Sequence, residues 1–160
     1  MAFRQRVTTP TADSQTARFL VVRLHDTYLA IWAESVRGVF TEREFDARQE
    51  IVLLGERYAP MNLAARFRLP EPLHTPETRT VLCSRDRWRC ASSVDQVIGL
   101  TDIRREQILP LPRLFNGEER VWFRGLFLFQ DAVALLVNPD WLVQGDKDTA
   151  GRSLVNAVGS

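Results

Sequence analysis

The chain has 160 residues, is 45% apolar and 26% charged, and carries a net charge of +1; that suffices for one domain, or for two small lobes sharing a core, and sets up no strong field for nucleic acid or an anionic membrane. Twenty of the 21 basic residues are arginine, Lys147 being the exception, and they are scattered among 20 acids, which reads as compositional bias and not as an RNA-binding stripe. No apolar run approaches the roughly 20 residues of a membrane helix, and residues 1–17 lack the apolar stretch of a signal peptide, so a cytoplasmic protein with no nucleic-acid partner and no direct membrane insertion is expected.

Residues 1–17, rich in Thr, Ser, Gln and Ala, read as a flexible N-terminal tail. Phe19-Leu20-Val21-Val22-Arg23-Leu24 is a strand, His25-Asp26-Thr27 a turn, and Tyr28-Leu29-Ala30-Ile31-Trp32 the returning strand. Residues 33–40 fit either two turns of helix or a strand lead-in. The charged stretch 41–50 reads as an exposed connection, residues 51–54 as a short strand, Gly55-Glu56-Arg57 as a turn, 58–63 as a strand, and 64–69 as a helical turn. Pro70-Glu71-Pro72-Leu73-His74-Thr75-Pro76 is punctuated by proline, and a boundary between lobes is expected near 70–79.

Residues 80–84 and 88–94 form a hairpin about Asp86-Arg87, and 97–100 is a further strand. A loop surrounds Asn116-Gly117, and a last hairpin, 121–128 and 132–137, turns at Gln130-Asp131. Asn138 precedes Pro139 as an N-cap precedes a first helical residue. Residues 144–160 read as a polar C-terminal tail in which Leu154, Val155 and Val158 fit one face of a short helix. About nine short strands with turns every 8–12 residues predict an all-β barrel or sandwich.

Groups able to do chemistry are few. His25 and His74 lie in loops with no nucleophile or paired acid at a telling distance, and no phosphate-binding glycine pattern occurs. Cys83 and Cys90 are the two cysteines. They sit opposite each other across the predicted hairpin, as a candidate redox pair or as two small buried hydrophobes, the latter favoured in a reducing compartment. Their spacing, without further ligands nearby, does not suit zinc. Of the four tryptophans, Trp88, among Arg85, Arg87 and Arg89, is expected to be the most exposed. No enzyme, metal or cofactor is predicted.

The rhythm of segments resembles the CheW-like family of bacterial chemosensory adaptors, from about Phe19 to Val143. Ile51-Val52-Leu53-Leu54-Gly55-Glu56 and Asn62-Leu63-Ala64-Ala65-Arg66-Phe67 are similar to that family's "I-N-L-R-G-E … V-I-D-L … R-F" segment. Val94-Asp95 through Ile108, Pro110 and Pro112 is similar, without gaps, to its "V-D-x-V … I-x-P-x-P" stretch, and Phe123-Arg124-Gly125 with residues 136–142 look like its closing segments.

The resemblance implies two small five-stranded SH3-like β-barrels packed on a shared core, with short helices, spanning 18–143. It implies a non-enzymatic scaffold that couples the cytoplasmic tip of chemoreceptors to a CheA-type histidine kinase in a membrane-associated signalling array. Val36, Gly38, Leu54, Gly55 and Leu100 then fall on receptor- and kinase-binding surfaces. The chain departs from the family pattern at several points: its Glu falls on Gly38, its Asn on Val52, its Arg on Leu54 and its Asp on Asn62. Each lost charge-assisted hydrogen bond costs about 1.5–3 kcal/mol of affinity. The alternative is an interaction protein that kept the fold, lost receptor coupling and recruits a different partner.

Overall fold

Residues 16–24 explain the architecture. In a strand, alternate side chains face opposite sides, yet nearly the whole of β1 (Thr16–Leu24) from Phe19 on is buried. Both faces therefore meet apolar surroundings. Phe19 and Val21 pack with Ala30, Ile103, Phe127, Ala134 and Leu136. Leu20, Val22 and Leu24 pack into a separate cluster with Leu63, Val81, Cys83, Cys90 and Val94. A continuous apolar run is what burial on both faces demands.

The computed structural model describes residues 15–142; of the predicted tails, 1–17 and 144–160, residues 1–14 and 144–160 lie outside the described residues, whereas Thr16 and Ala17 belong to β1, paired with Arg104 and Ile103. After β1 come β2 (Thr27–Trp32), β3 (Val36–Thr41), β4 (Ile51–Leu53), β5 (Glu56–Pro60), β6 (Arg79–Arg85), β7 (Trp88–Val94), β8 (Gln96–Arg104), β9 (Phe123–Phe129) and β10 (Ala132–Val137), with short helices α1 (Leu63–Arg66) and α2 (Glu119–Trp122). These make two five-stranded sheets, β8-β1-β2-β10-β9 (sheet 1) and β3-β6-β7-β5-β4 (sheet 2). Each holds one parallel pair, β2 with β10 and β5 with β7. The all-β class and the two five-stranded units are as predicted.

The lobes do not divide the chain at 70–79. Sheet 2 takes the middle of the sequence, and sheet 1 is assembled from both ends. The proline segment joins β5 to β6 inside one sheet, because β6 completes the pairing of β3 and β7. Asp95 anchors this crossing: its carboxylate accepts the backbone N–H of His25 at 2.6 Å and of Leu73 at 3.4 Å, and its own N–H reaches Arg23 O at 3.0 Å.

Sheet 1 is closed by backbone beyond β8. Leu109 and Leu126 exchange both N–H···O bonds, at 2.8 and 3.0 Å. Gly125 permits this approach, for a Cβ there would lie 2.7 Å from Leu109 O. Sheet 2 has a smaller interior of Ala47, Ile51, Tyr58, Leu82 and Ala91, with Phe40, Phe45 and Leu53 against it. The 41–50 connection is thus not simply exposed: it lends Phe45 and Ala47 to that interior, and Phe45 O accepts the buried Thr80 hydroxyl at 2.6 Å.

Between the sheets lies the largest cluster, capped by aromatics from the middle and the C-terminal part of the chain. Phe67 stacks on Phe123 at 5.2 Å and meets Trp122 and Trp141 at 5.7 and 5.0 Å. Asn62 caps α1 by accepting the Ala65 N–H at 3.0 Å. Asn138 caps the helical residues 139–142 as predicted, accepting the Asp140 N–H at 3.1 Å. Residues 33–40 resolve into a 3₁₀ turn, Ala33–Ser35, followed by β3. Trp88 is half-buried against the shared core, not the exposed residue expected, because the hairpin folds its β7 face onto that core.

Candidate protein-interaction surface

The β4–β5 turn is the most exposed apolar point in the described chain. Leu53 pairs with Glu56, so the turn residues are Leu54 and Gly55, one position earlier than predicted. Both have positive φ, 52° and 82°, as a two-residue type I′ hairpin requires. Glycine tolerates that geometry, whereas an L-residue is disfavoured by about 1–2 kcal/mol. The Leu54 side chain is 94% exposed. Val52, on the outward side of β4, is exposed as well.

Val36 and Gly38 lie on β3, at the other edge of sheet 2, opposite Cys83 and Leu82, with a bulge at Arg37 between them. Val36 packs against the shared core. A Cβ at Gly38 would sit 2.5 Å from Cε2 of Phe40. The Phe40 ring therefore occupies the space of a residue-38 side chain, and it is held there edge-on to Phe45 at 4.8 Å. Leu100 is on β8 in sheet 1, 62% exposed and paired with the buried Leu20. The five residues thus fall at three places: Val36 with Gly38, Leu54 with Gly55, and Leu100 alone. Cys83 and Cys90 are register partners in the β6–β7 hairpin, as predicted, and both are buried thiols outside any disulfide.

Sequence reasoning missed a second feature, at the junction of the sheets. Asp140 accepts Arg85 Nε of β6 at 2.6 Å and Arg124 Nη2 of β9 at 3.2 Å, tying sheet 2 to sheet 1. Arg18 and Asp102, opposite each other on β1 and β8, form a two-point ion pair at 2.8 and 3.3 Å. That hydrogen bonding holds the Asp102 carboxyl below the usual carboxylate range and raises Arg18. No spacing in the sequence marks these arginines, since they come from separate strands. Among the described residues there is no group of three or more His, Cys, Asp or Glu that could hold a metal ion, and no helix is long and apolar enough to cross a membrane.

Residues 18–147 match the family model of the CheW-like domain. The chain belongs to the CheW-like domain family. The CheW-like fold is also found in the crystal structure of the scaffolding protein TtCheW from Thermoanaerobacter tengcongensis, which is 15% identical, with a TM-score of 0.62, over 76% of this chain and 88% of that one. No curated protein matches the sequence. At this identity the likeness establishes the fold: two curled five-stranded sheets of SH3-like type around a common core. Membership of the CheW-like family makes the chain a scaffold or adaptor type of chemosensory domain.

Proposed function

We propose that this CheW-like domain is a non-enzymatic adaptor that couples the cytoplasmic tips of chemoreceptors to a CheA-type histidine kinase, in the cytoplasm at membrane-associated arrays. Leu54 is the observation that carries the reading. A leucine held at positive φ and almost fully exposed is unfavourable in the isolated chain twice over, in backbone strain and in apolar exposure. A partner that buries the side chain recovers the second cost. Rigid strands that present apolar projections suit the apolar faces of helical receptor tips or of a kinase regulatory domain. Val36, Gly38, Gly55 and Leu100 are assigned to the same recognition function, and residues 18–143 to the adaptor unit.

The test is pull-down of kinase and receptor by Leu54→Asp. Binding is expected to fall by more than tenfold while the circular dichroism spectrum and the urea midpoint stay near wild type. Unchanged binding removes the β4–β5 turn from the interface.

The Phe40 ring over Gly38 favours a second reading, in which the chain recruits a partner other than a receptor. There the surface offers an aromatic edge where the family pattern has a carboxylate. Gly38→Glu separates the two: gain of receptor binding supports the adaptor role with weakened affinity, and no gain, with the fold intact, supports a different partner. Cys83 and Cys90 are assigned as a pair that an oxidant can cross-link; diamide treatment should remove two hydrogens by mass, and an unchanged mass returns both to packing alone.

A further inference from the structure

A cleft of about 480 Å³ opens where the two sheets meet, and arginines from four separate strands or strand ends line it: Arg18, Arg85, Arg105 and Arg124. We propose that this cleft is a docking site for an acidic segment of a partner protein, one that brings at least two carboxylates to the guanidinium groups.

Two observations support this occupant. The first is charge. One carboxylate, Glu34, shares the wall of the cleft, and the other two acids at hand, Asp102 and Asp140, already serve Arg18 and the Arg85–Arg124 pair. Those pairs fix the guanidinium planes, and each guanidinium has five N–H donors, so donors remain for a second carboxylate. Arg105 is exposed, and its side chain has no hydrogen-bond or ion-pair partner among the described residues.

The second is shape. The space exceeds what one carboxylate fills, while exposed arginines bind an isolated small anion weakly in water; several linked carboxylates act together.

A smaller cleft, of about 330 Å³ beside Met61, Pro72 and His74, makes the contrast: a single arginine, Arg48, lines it, with the carboxylate of Glu71 in the same wall.

Calorimetric titration of the full chain with a hexaglutamate peptide at low salt tests the assignment, with hexaglutamine and inorganic phosphate as comparisons. Hexaglutamate is expected to bind, hexaglutamine not to, and phosphate to bind at least tenfold more weakly than hexaglutamate. Arg105→Glu is expected to weaken the peptide by tenfold or more without lowering the urea midpoint, and Arg113→Glu, the same charge change on the loop after Pro112, by less than twofold. Equal losses in the two variants would mean attraction to net charge and overturn the site. No loss in Arg105→Glu, or phosphate binding as tight as the peptide, overturns it too. Neither kinase nor receptor enters the titration, so its failure and the failure of the adaptor reading are told apart.

Discussion

The two sheets have equal strand counts and opposite characters. Sheet 1 is closed backbone to backbone, by Leu109 against Leu126, around an interior with Phe19 and Phe127 fully buried and 5.5 Å apart. In sheet 2 the link between the outer strands β3 and β4 is a side-chain cluster of Phe40, Phe45 and Leu53. Its interior is smaller, five buried residues against seven, and Thr80, Ser84 and Ser92 are buried in its strands. The strained, exposed Leu54 and the bulge beside Gly38 are also in sheet 2. The difference teaches that equal strand counts need not close alike: sheet 1, sealed by backbone and large buried rings, is expected to supply more of the stability, and sheet 2 holds four of the five proposed recognition residues, Val36, Gly38, Leu54 and Gly55, on its two edge strands and the turn beside one of them.

The comparison breaks most readily in the interior of sheet 1. Phe127→Ala is expected to cost about 3–5 kcal/mol, read as a fall in the urea midpoint; a loss under about 1 kcal/mol would deny sheet 1 its stabilising role. Next come the two crowded glycines. Gly125→Ala presses a methyl group on a backbone oxygen and should cost about 2 kcal/mol. At Gly38 the obstacle is the far end of the Phe40 side chain, so Gly38→Ala should cost under about 1 kcal/mol. Equal losses at the two would show sheet 2 to be closed as tightly as sheet 1.

Leu54→Gly works in the opposite direction. It relieves the positive φ and should raise stability by about 0.5–1 kcal/mol while weakening partner binding, and a loss of stability would mean that the turn is not strained.

The smallest effect is pH dependence. Backbone and hydroxyl hydrogen bonds from Thr41 hold the Glu44 carboxyl below its ordinary range, and the Arg48 guanidinium does the same for Asp46. A carboxyl whose folded pKa lies below its unfolded value adds stability above the unfolded value, near pH 4, and loses it as the pH falls through the folded one. The urea midpoint should therefore drop below about pH 4, with a shallower drop in Glu44→Gln. Since Glu44 and Asp46 belong to the connection that covers sheet 2, hydrogen exchange in acid should rise first there.

Local pattern made much of the fold readable. Alternation and turn residues located nearly every strand, the opposed cysteines, and the cap at Asn138; the cap at Asn62 emerged only in the structure, inside what reads as a strand. The Asp95 stretch, read as similar to the family pattern without gaps, clamps two backbone amides in the structure. Boundaries slipped where tertiary packing outweighed local preference. The β4–β5 turn took Leu54 and left Glu56 and Arg57 to β5, and Val121 and Trp122 ended a helical turn in place of opening a strand. The residues proposed for recognition were visible only through resemblance, since no spacing rule points at an exposed leucine.

By itself the sequence determined the all-β class and the strand count to within one. Those properties depend on residues a few positions apart. Only the tertiary structure decided that the chain ends share a sheet and that residues 70–79 lie within a lobe. It also brought Arg18, Arg85, Arg105 and Arg124 around one cleft. Pairing between distant strands is chosen by what the whole set can bury together, and electrostatic neighbourhood follows from that choice, not from distance along the chain.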